Sequence, residues 1–457
     1  MQRNASKRNE DQTKDLTMVE KPSKHMIITV FMAAAGYYKE AWRLPGSRAE
    51  ELGGLSLVSD LARMAEAAKI DSIFFGDILS GELIRNNNIN SSGLTEPISV
   101  LSALAAKTEK IGLSGTVSTQ FSFPFQTARQ FTGLDQLSGG RAGWNIVTSF
   151  MGAENFGLDQ LPPAAERYRR ADEFVDVACR LWDSWSDEAV ICDRENGKWV
   201  DPDKVQPINH EGEFYKVAGP LNMRRSPQGR PVLFQAGQSP DGMKLGAKYA
   251  DGIYTTQTRM EDSIGTVAQY RTLLEAEGRH PDSLKVLPGL MPILGETMKD
   301  AEDYAAELAS NIDFIAGRER LAQSLNIDIR NIDLDESVPD ERWVNDGTHT
   351  SRWNVFRSLA VDDGYTIRQL IEETYRAGGH RTMIGTASEI ADSMIEWFEN
   401  KACHGFNLTP PSMPEGMRRI CQLLIPELQN RGYFREEYEG NTLRDHLGLT
   451  RPGAWDA

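Results

Sequence analysis

Neutral hydrogen-bonding side chains, more than titratable ones, are what this sequence offers for chemistry. They gather, with one carboxylate, Asp77, at the ends of short apolar runs: Thr116, Ser118 and Thr119; Asn145, Thr148 and Ser149; Gln235-Ala-Gly-Gln-Ser239; Thr255, Thr256 and Gln257; Asn407 and Thr409. No Ser-His-Asp order, no H-E-x-x-H and no carboxylate pair stands out. Such a set suits a large polar cofactor that brings its own reactivity. Gln235 to Ser239 reads as a glycine-containing turn leading into a helix, whose backbone N–H groups and Ser239 hydroxyl can hold a phosphate. An ordinary helix N-cap explains the same serine. Neither G-x-G-x-x-G after a strand nor G-x-x-x-x-G-K-[ST] occurs, so a redox enzyme of this sequence would use its pyridine nucleotide elsewhere. Cys179, Cys192, Cys403 and Cys421 form no C-x-x-C pair and no zinc spacing. They read as reduced thiols, with no metal centre expected.

The elements that must position these groups alternate in type. Short β-type runs fall at 25–34, 72–77, 110–118, 141–149, 231–237, 252–256, 285–294 and 405–409. Helical patterns intervene at 55–69, 97–108 and 127–137, with Leu57, Leu61, Met64, Ala65 and Ala68 on one face of the first. Eight short, almost continuously apolar strands alternating with helices predict an α/β fold, a TIM (β/α)₈ barrel. Such a barrel needs about 250 residues, and the rest falls in two long insertions, an N-terminal arm and a C-terminal extension beyond Pro411. The insertions are expected at about 150–230 and 295–401. Residues 1–24 are polar and charged and read as a disordered arm. Residues 25–457 read as one domain, with no repeat and no low-complexity linker. In a TIM barrel the active site lies at the C-terminal ends of the strands, where the neutral groups collect.

Bulk properties narrow the partners. The formal net charge of -16 over 457 residues argues against binding nucleic acid or anionic membranes. No secretory signal and no apolar run of about 18 residues is evident, so a cytoplasmic location is expected.

Several segments are similar to the bacterial-luciferase-like FMN-dependent monooxygenases, in the branch of the nitrilotriacetate monooxygenase component A. The branch also holds dibenzothiophene-sulfone, EDTA, dimethyl sulfide and long-chain alkane monooxygenases. The matches include Phe74-Phe-Gly-Asp77, Leu134-Asp-Gln-Leu-Ser-Gly-Gly-Arg141, Trp144-Asn-Ile-Val-Thr-Ser149, Arg167-Tyr168, Ser226-Pro-Gln-Gly229, Gln235-Ala-Gly237 and a long match through 429–449. The resemblance implies a barrel that takes reduced FMN as co-substrate from a separate NAD(P)H:flavin reductase, uses O₂, and assembles as a homo-oligomer. By family pattern Asp77, Thr116, Ser149, Phe150, Tyr168, Ala236, Gly237, Gln238 and Ser239 would contact the flavin, with Tyr168 and Ser239 near its phosphate. The tail through Leu449 is a candidate for subunit contact.

The resemblance also exposes a departure. Some relatives carry histidine where this chain has Phe150, which can neither donate a hydrogen bond nor transfer a proton. His210, His380 and His404 are the remaining imidazole candidates, with His404 at the wrong end of its strand; His380 is the catalytic candidate and Phe150 a pocket wall. The implied reaction is oxidation of a small organic substrate at or next to N or S, with C–N or C–S cleavage. A polycarboxylate would call on Arg43, Arg381 or Lys39; the apolar stretch around Phe31 to Tyr38 suits a less charged substrate, and both stay open. Two alternatives of the same fold are a non-catalytic flavin-binding protein and a deazaflavin-dependent oxidoreductase.

Overall fold

The computed structural model describes residues 25–81, 95–343, 351–376 and 379–454; the expected N-terminal arm lies outside them. Thirteen strands occur among these residues. In chain order they are β1 (Ile27–Phe31), β2 (Ser72–Phe75), β3 (Gly112–Ser118), β4 (Ala142–Val147), β5 (Val190–Asp193), β6 (Lys198–Val200), β7 (His210–Glu211), β8 (Lys216–Val217), β9 (Val232–Gln235), β10 (Gly252–Thr255), β11 (Lys285–Gly295), β12 (Arg381–Thr386) and β13 (Gly405–Leu408). Eight of them close a parallel barrel in the order β1-β2-β3-β4-β9-β10-β11-β13, and β13 pairs back onto β1. These are the eight runs expected from the sequence.

Alternation along each strand decides the two layers. On β1, Ile28 and Val30 face the helix layer and join its large core, whereas Ile27 and Phe31 face inward. The barrel interior is filled by Ile27, Phe74, Val232, Phe234, Tyr254 and Leu287. Tyr254 is stacked between Phe74 (4.7 Å) and Phe234 (5.0 Å), so aromatic faces fill the width that aliphatic layers usually take. Closure at β1–β13 needs a glycine. Gly405 has φ +151°, and a Cβ there would lie 1.9 Å from the Ile27 carbonyl oxygen.

The tail after Pro411 closes the barrel floor. Leu443 and Leu447 insert into the interior cluster from the N-terminal end. Arg435 pairs with fully buried Asp71 (2.7 Å), and Arg444 with Asp251 (2.8 Å). The tail segment proposed for subunit contact is thus engaged with its own barrel, because an open barrel end would leave apolar side chains wet.

Both excursions contain regular barrel parts that the sequence reading had folded into insertions. Helix Ala164–Trp182 packs between helices Pro124–Leu137 and Pro240–Tyr249, the ordinary place for the helix after β4. The true additions there are the loop ahead of it and the hairpins β5–β6 and β7–β8. In the second excursion β11 outruns the barrel. Its residues 285–288 pair with β10, and residues 290–295 then pair with β12, a ninth strand of the sheet that the sequence reading missed. Behind it lies a second core of Tyr38, Met291, Ile293, Phe356, Ile371 and Tyr375. No helix among the described residues is long and apolar enough to cross a membrane.

Candidate functional site

The C-terminal ends of β3, β4 and β9 converge at one side of the barrel mouth. The Thr116 hydroxyl donates to the Phe75 carbonyl (3.0 Å) and accepts from the Asn145 amide (2.9 Å). Thr116 therefore serves as a buried tie across β2, β3 and β4. One step higher, the hydroxyls of Ser118 and Ser149 share a hydrogen bond of 2.7 Å. Ser149 adopts the left-handed conformation at φ +51°, uncommon for a residue with a side chain.

Ser239 and Tyr168, the two residues expected near a phosphate, are brought together. Ser239 caps helix Pro240–Tyr249: its Oγ accepts from the Gly242 N–H (3.1 Å) and donates to the Tyr168 hydroxyl (3.2 Å). Tyr168 packs its ring against the helix-layer core and brings its hydroxyl to the rim, the usual division for a half-buried tyrosine. Gly237 lies against this pair; a Cβ there would sit 3.0 Å from the Tyr168 hydroxyl and 2.3 Å from the Gln235 amide nitrogen. The Gln238 side-chain oxygen accepts from the Thr256 N–H (3.0 Å), which holds the turn against β10. Ala236 and Ser239 are exposed, with Gly237 and Gln238 half-buried between them.

Asp77 follows β2 and is half-buried. It caps no described helix; Glu96 caps Pro97–Ala105 instead. Burial pushes the Asp77 carboxyl up to about 6; the Ile78 N–H opposes this, and the neighbouring Glu96 charge adds to it. An aromatic rim stands beside it. Phe121 and Phe156 stack at 4.2 Å, and Phe123 and Phe150 project into solvent at 72% and 74% exposure.

The opposite wall carries His380. Its imidazole fills the space above Gly289, whose Cβ would lie 2.2 Å from Nδ1. It meets Tyr37 edge-on at 5.7 Å, and Tyr37 in turn meets Phe31 at 5.4 Å. Gly289 pairs with inward-facing Asn407, so His380 reaches over the barrel interior. The other two imidazole candidates are engaged elsewhere. His404 accepts from the Val286 N–H at the barrel floor, and burial holds it down to about 3. His210 lies in the β7–β8 hairpin between Glu173 (2.9 Å) and Arg180 (3.1 Å).

The proposed substrate cations are not brought to the mouth. Arg381 stacks on Trp397 and donates to Ser393, both on helix Ala387–Glu399, because its strand position turns it to that helix. Arg43 donates to the Asn311 carbonyl (3.4 Å) and lies near Glu40, out in solvent beside the second insertion. Lys39 sits over the Tyr375 ring.

Arg167 is the residue that the sequence reading passed over. It donates to the carbonyls of Pro162 (3.0 Å), Thr148 (3.4 Å) and Ser149, and forms no ion pair among the described residues. A sequence signal existed: no acidic residue stands three or four places from it on its helix, where a surface arginine usually finds one. No group of three or more His, Cys, Asp or Glu able to hold a metal occurs among the described residues.

A mouth with a capped helix N-terminus and paired hydroxyls can hold a phosphorylated ligand; its aromatic rim and the His380 imidazole can enclose an organic substrate. Residues 38–399 match the model of the luciferase-like monooxygenases. N-acetyl-S-(2-succino)cysteine monooxygenase of Bacillus subtilis (strain 168) is 40% identical over 432 residues, 94% of this chain and 98% of the relative. Nitrilotriacetate monooxygenase component A of Aminobacter aminovorans is 37% identical over 443 residues, again 94% and 98%. Among solved structures, a riboflavin lyase with modified FMN and riboflavin superposes with TM-score 0.80 at 27% identity, over 93% of this chain and 96% of that one. With a closed parallel barrel, a polar mouth and a family match across most of its length, this chain belongs to the luciferase-like monooxygenases.

Proposed function

We propose that the chain is the oxygenase component of a two-component monooxygenase. In this reading it binds reduced FMN from a separate NAD(P)H:flavin reductase and uses O₂ to oxidise a small organic substrate at or next to nitrogen or sulfur, with C–N or C–S cleavage. The observation that carries the reading is the Ser239–Tyr168 pair at the start of helix Pro240–Tyr249, with bare backbone at Gly237 beside it. A phosphate dianion suits such a corner: the helix N-terminus carries partial positive charge, and the Ser239 and Tyr168 hydroxyls, bonded to each other here, would turn their protons to the ligand.

Once bound, reduced flavin supplies the two electrons with which O₂ places one oxygen atom on the substrate and the other in water. The protein's share is positioning and exclusion of water. Ser239 and Tyr168 hold the phosphate, with Ala236, Gly237 and Gln238 forming the floor of that corner. Asp77 and Ser149 would border a bound flavin, and Asp77, its carboxyl raised to about 6, can hold or accept a proton near neutrality. Phe150, Phe121 and Phe156 shield the ring from water. His380, from the opposite wall, would face the substrate and could hydrogen-bond it or move its proton.

The relatives named for a cysteine conjugate and for nitrilotriacetate support a substrate bearing sulfur or nitrogen beside carbon. Membership of a monooxygenase family leaves the non-catalytic flavin carrier without a supporting observation. The test is an anaerobic titration with reduced FMN, then mixing with O₂ in the presence of N- and S-containing compounds. Saturable flavin binding and substrate-dependent product are expected. A protein that binds reduced deazaflavin and not reduced FMN would overturn the reading. Self-association is inferred alongside it, and a monomer in sedimentation velocity would remove that part.

A further inference from the structure

The β4 exit is held in an unusual shape by one guanidinium. Residues 148–150 turn out of the barrel wall through Ser149, whose φ of +51° is a conformation that side-chain-bearing residues reach only at a cost met by their surroundings. The Arg167 guanidinium donates to the carbonyls of Thr148 (3.4 Å) and Ser149 on the near side, and to that of Pro162 (3.0 Å) on the far side. It therefore bridges the β4 exit to the loop that leads into helix Ala164–Trp182. The Ser149 hydroxyl is fixed from below by Ser118 (2.7 Å), which also accepts from the Gln120 N–H (3.1 Å). Held from both sides, the turn presents Ser149 and the exposed ring of Phe150 to the mouth. No carboxylate neutralises Arg167 among the described residues, so its hydrogen-bonding strength goes to these carbonyls as charge-assisted bonds.

We propose that Arg167 is a positioning residue: through the Thr148 and Ser149 carbonyls it holds the left-handed turn that sets Ser149 and Phe150 against the flavin. The inference rests on the flavin reading above. It assigns Arg167 to the turn and not to the phosphate, although its helix neighbour Tyr168 stands at the phosphate corner.

The experiment uses full-length protein and anaerobic titrations with two probes, reduced FMN and reduced riboflavin, which lacks the phosphate. Arg167→Gln is expected to weaken both by the same factor, about tenfold, as loss of 1.4 kcal/mol of organisation gives. Arg167→Lys, which still donates to carbonyls, restores most of the affinity. Ser149→Gly removes the conformational cost, since glycine enters the left-handed region freely. In that background Arg167→Gln is expected to cost about threefold or less. A loss confined to FMN would place Arg167 on the phosphate and overturn the proposal. So would unchanged binding of both flavins with only a lowered melting temperature, or the same tenfold loss with glycine at 149. Wild-type protein that binds neither flavin would overturn the flavin reading itself, an outcome distinct from all of these.

Discussion

Removing the Ser239 hydroxyl separates a structural role from a ligand role at a single atom. Ser239→Ala deletes an N-cap hydrogen bond to Gly242 (3.1 Å) and a donor to Tyr168 (3.2 Å). The lost cap costs about 1 kcal/mol of stability, which shifts the melting temperature by roughly 2 °C for a chain this long. The ligand effect is larger. A hydrogen bond to a charged phosphate contributes about 1.5–3 kcal/mol, which is roughly a 10- to 150-fold loss in affinity for reduced FMN. Riboflavin has no phosphate, so its affinity should move by no more than about twofold. The assay is an anaerobic titration of each reduced flavin against wild type and variant, with a thermal melt of each protein. An equal loss for FMN and riboflavin would refute the assignment of this corner to phosphate, and a melt shift without any binding change would reduce Ser239 to a helix cap. The predicted pattern is the converse of that for Arg167→Gln, so the pair of variants maps two parts of one ligand.

Four further outcomes follow from the geometry. Arg435→Met strands Asp71, which is fully buried, and is expected to destabilise by about 3–5 kcal/mol above pH 6 in urea melts; burial already raises Asp71 to about 6, so the loss should shrink toward pH 4, where the folded carboxyl is neutral in wild type and variant alike. Asp135→Asn should gain stability over wild type. Burial lifts the Asp135 carboxyl from 3.8 to about 6, so wild type loses up to about 3 kcal/mol as pH rises from 4 to 6 while the unfolded chain ionises first; a constant difference across that window refutes the shift. Gly289→Ala would drive its methyl into His380 (2.2 Å) and should depress substrate turnover at least tenfold with reduced-FMN affinity unchanged; a fall in flavin affinity instead would place His380 on the cofactor side. Phe150→Ala, at a side chain 74% exposed, should leave stability within about 0.5 kcal/mol yet raise the fraction of O₂ released as hydrogen peroxide, measured by a peroxidase-coupled assay.

The sequence made the barrel legible because each strand carries its own local signal. Runs such as Ile27–Phe31 and Val232–Gln235 are apolar on both faces, as strands buried in a parallel sheet must be. β12 escaped because Arg381–Thr386 mixes polar and apolar residues and is half-exposed along most of its length, and its pairing with the far half of β11 is non-local. The same miss misplaced Arg381: a strand position turns its guanidinium onto Trp397, where a loop position could have faced the mouth. Ser239 and Tyr168 were legible through the turn and the family pattern, and the structure joins them by a hydrogen bond. Thr116 was legible as a mouth residue but not as a tie, since its partners Phe75 and Asn145 stand 41 and 29 positions away. The turn at Ser149 was hidden, because a left-handed serine has no sequence mark, and Arg167 was marked only by the lack of an acidic residue three or four places away.

The two ends of the barrel carry different kinds of information. The longest family-like segments lie at the floor. Arg141 is buried there, donating to the carbonyls of Ser138, Ala105, Thr108 and Ile111, and Asp135 accepts from Ala142 and Gln228. Arg435 and Arg444 of the tail lock onto Asp71 and Asp251 beside them. These contacts hold the strands in register and touch no mouth residue, so they report the fold and its stability. The mouth divides again. One side, Ser149, Tyr168 and the 236–239 turn, is built from strand ends and a capped helix, rigid parts suited to a constant ligand. The other side, His380 and Tyr37, hangs on the second insertion and its separate core. A ligand common to the family belongs on the rigid side, and substrate choice belongs on the side carried by the insertion. Substitutions at the His380 wall should therefore change which compound is oxidised, whereas substitutions at the Ser239 corner should weaken flavin binding alike for every substrate.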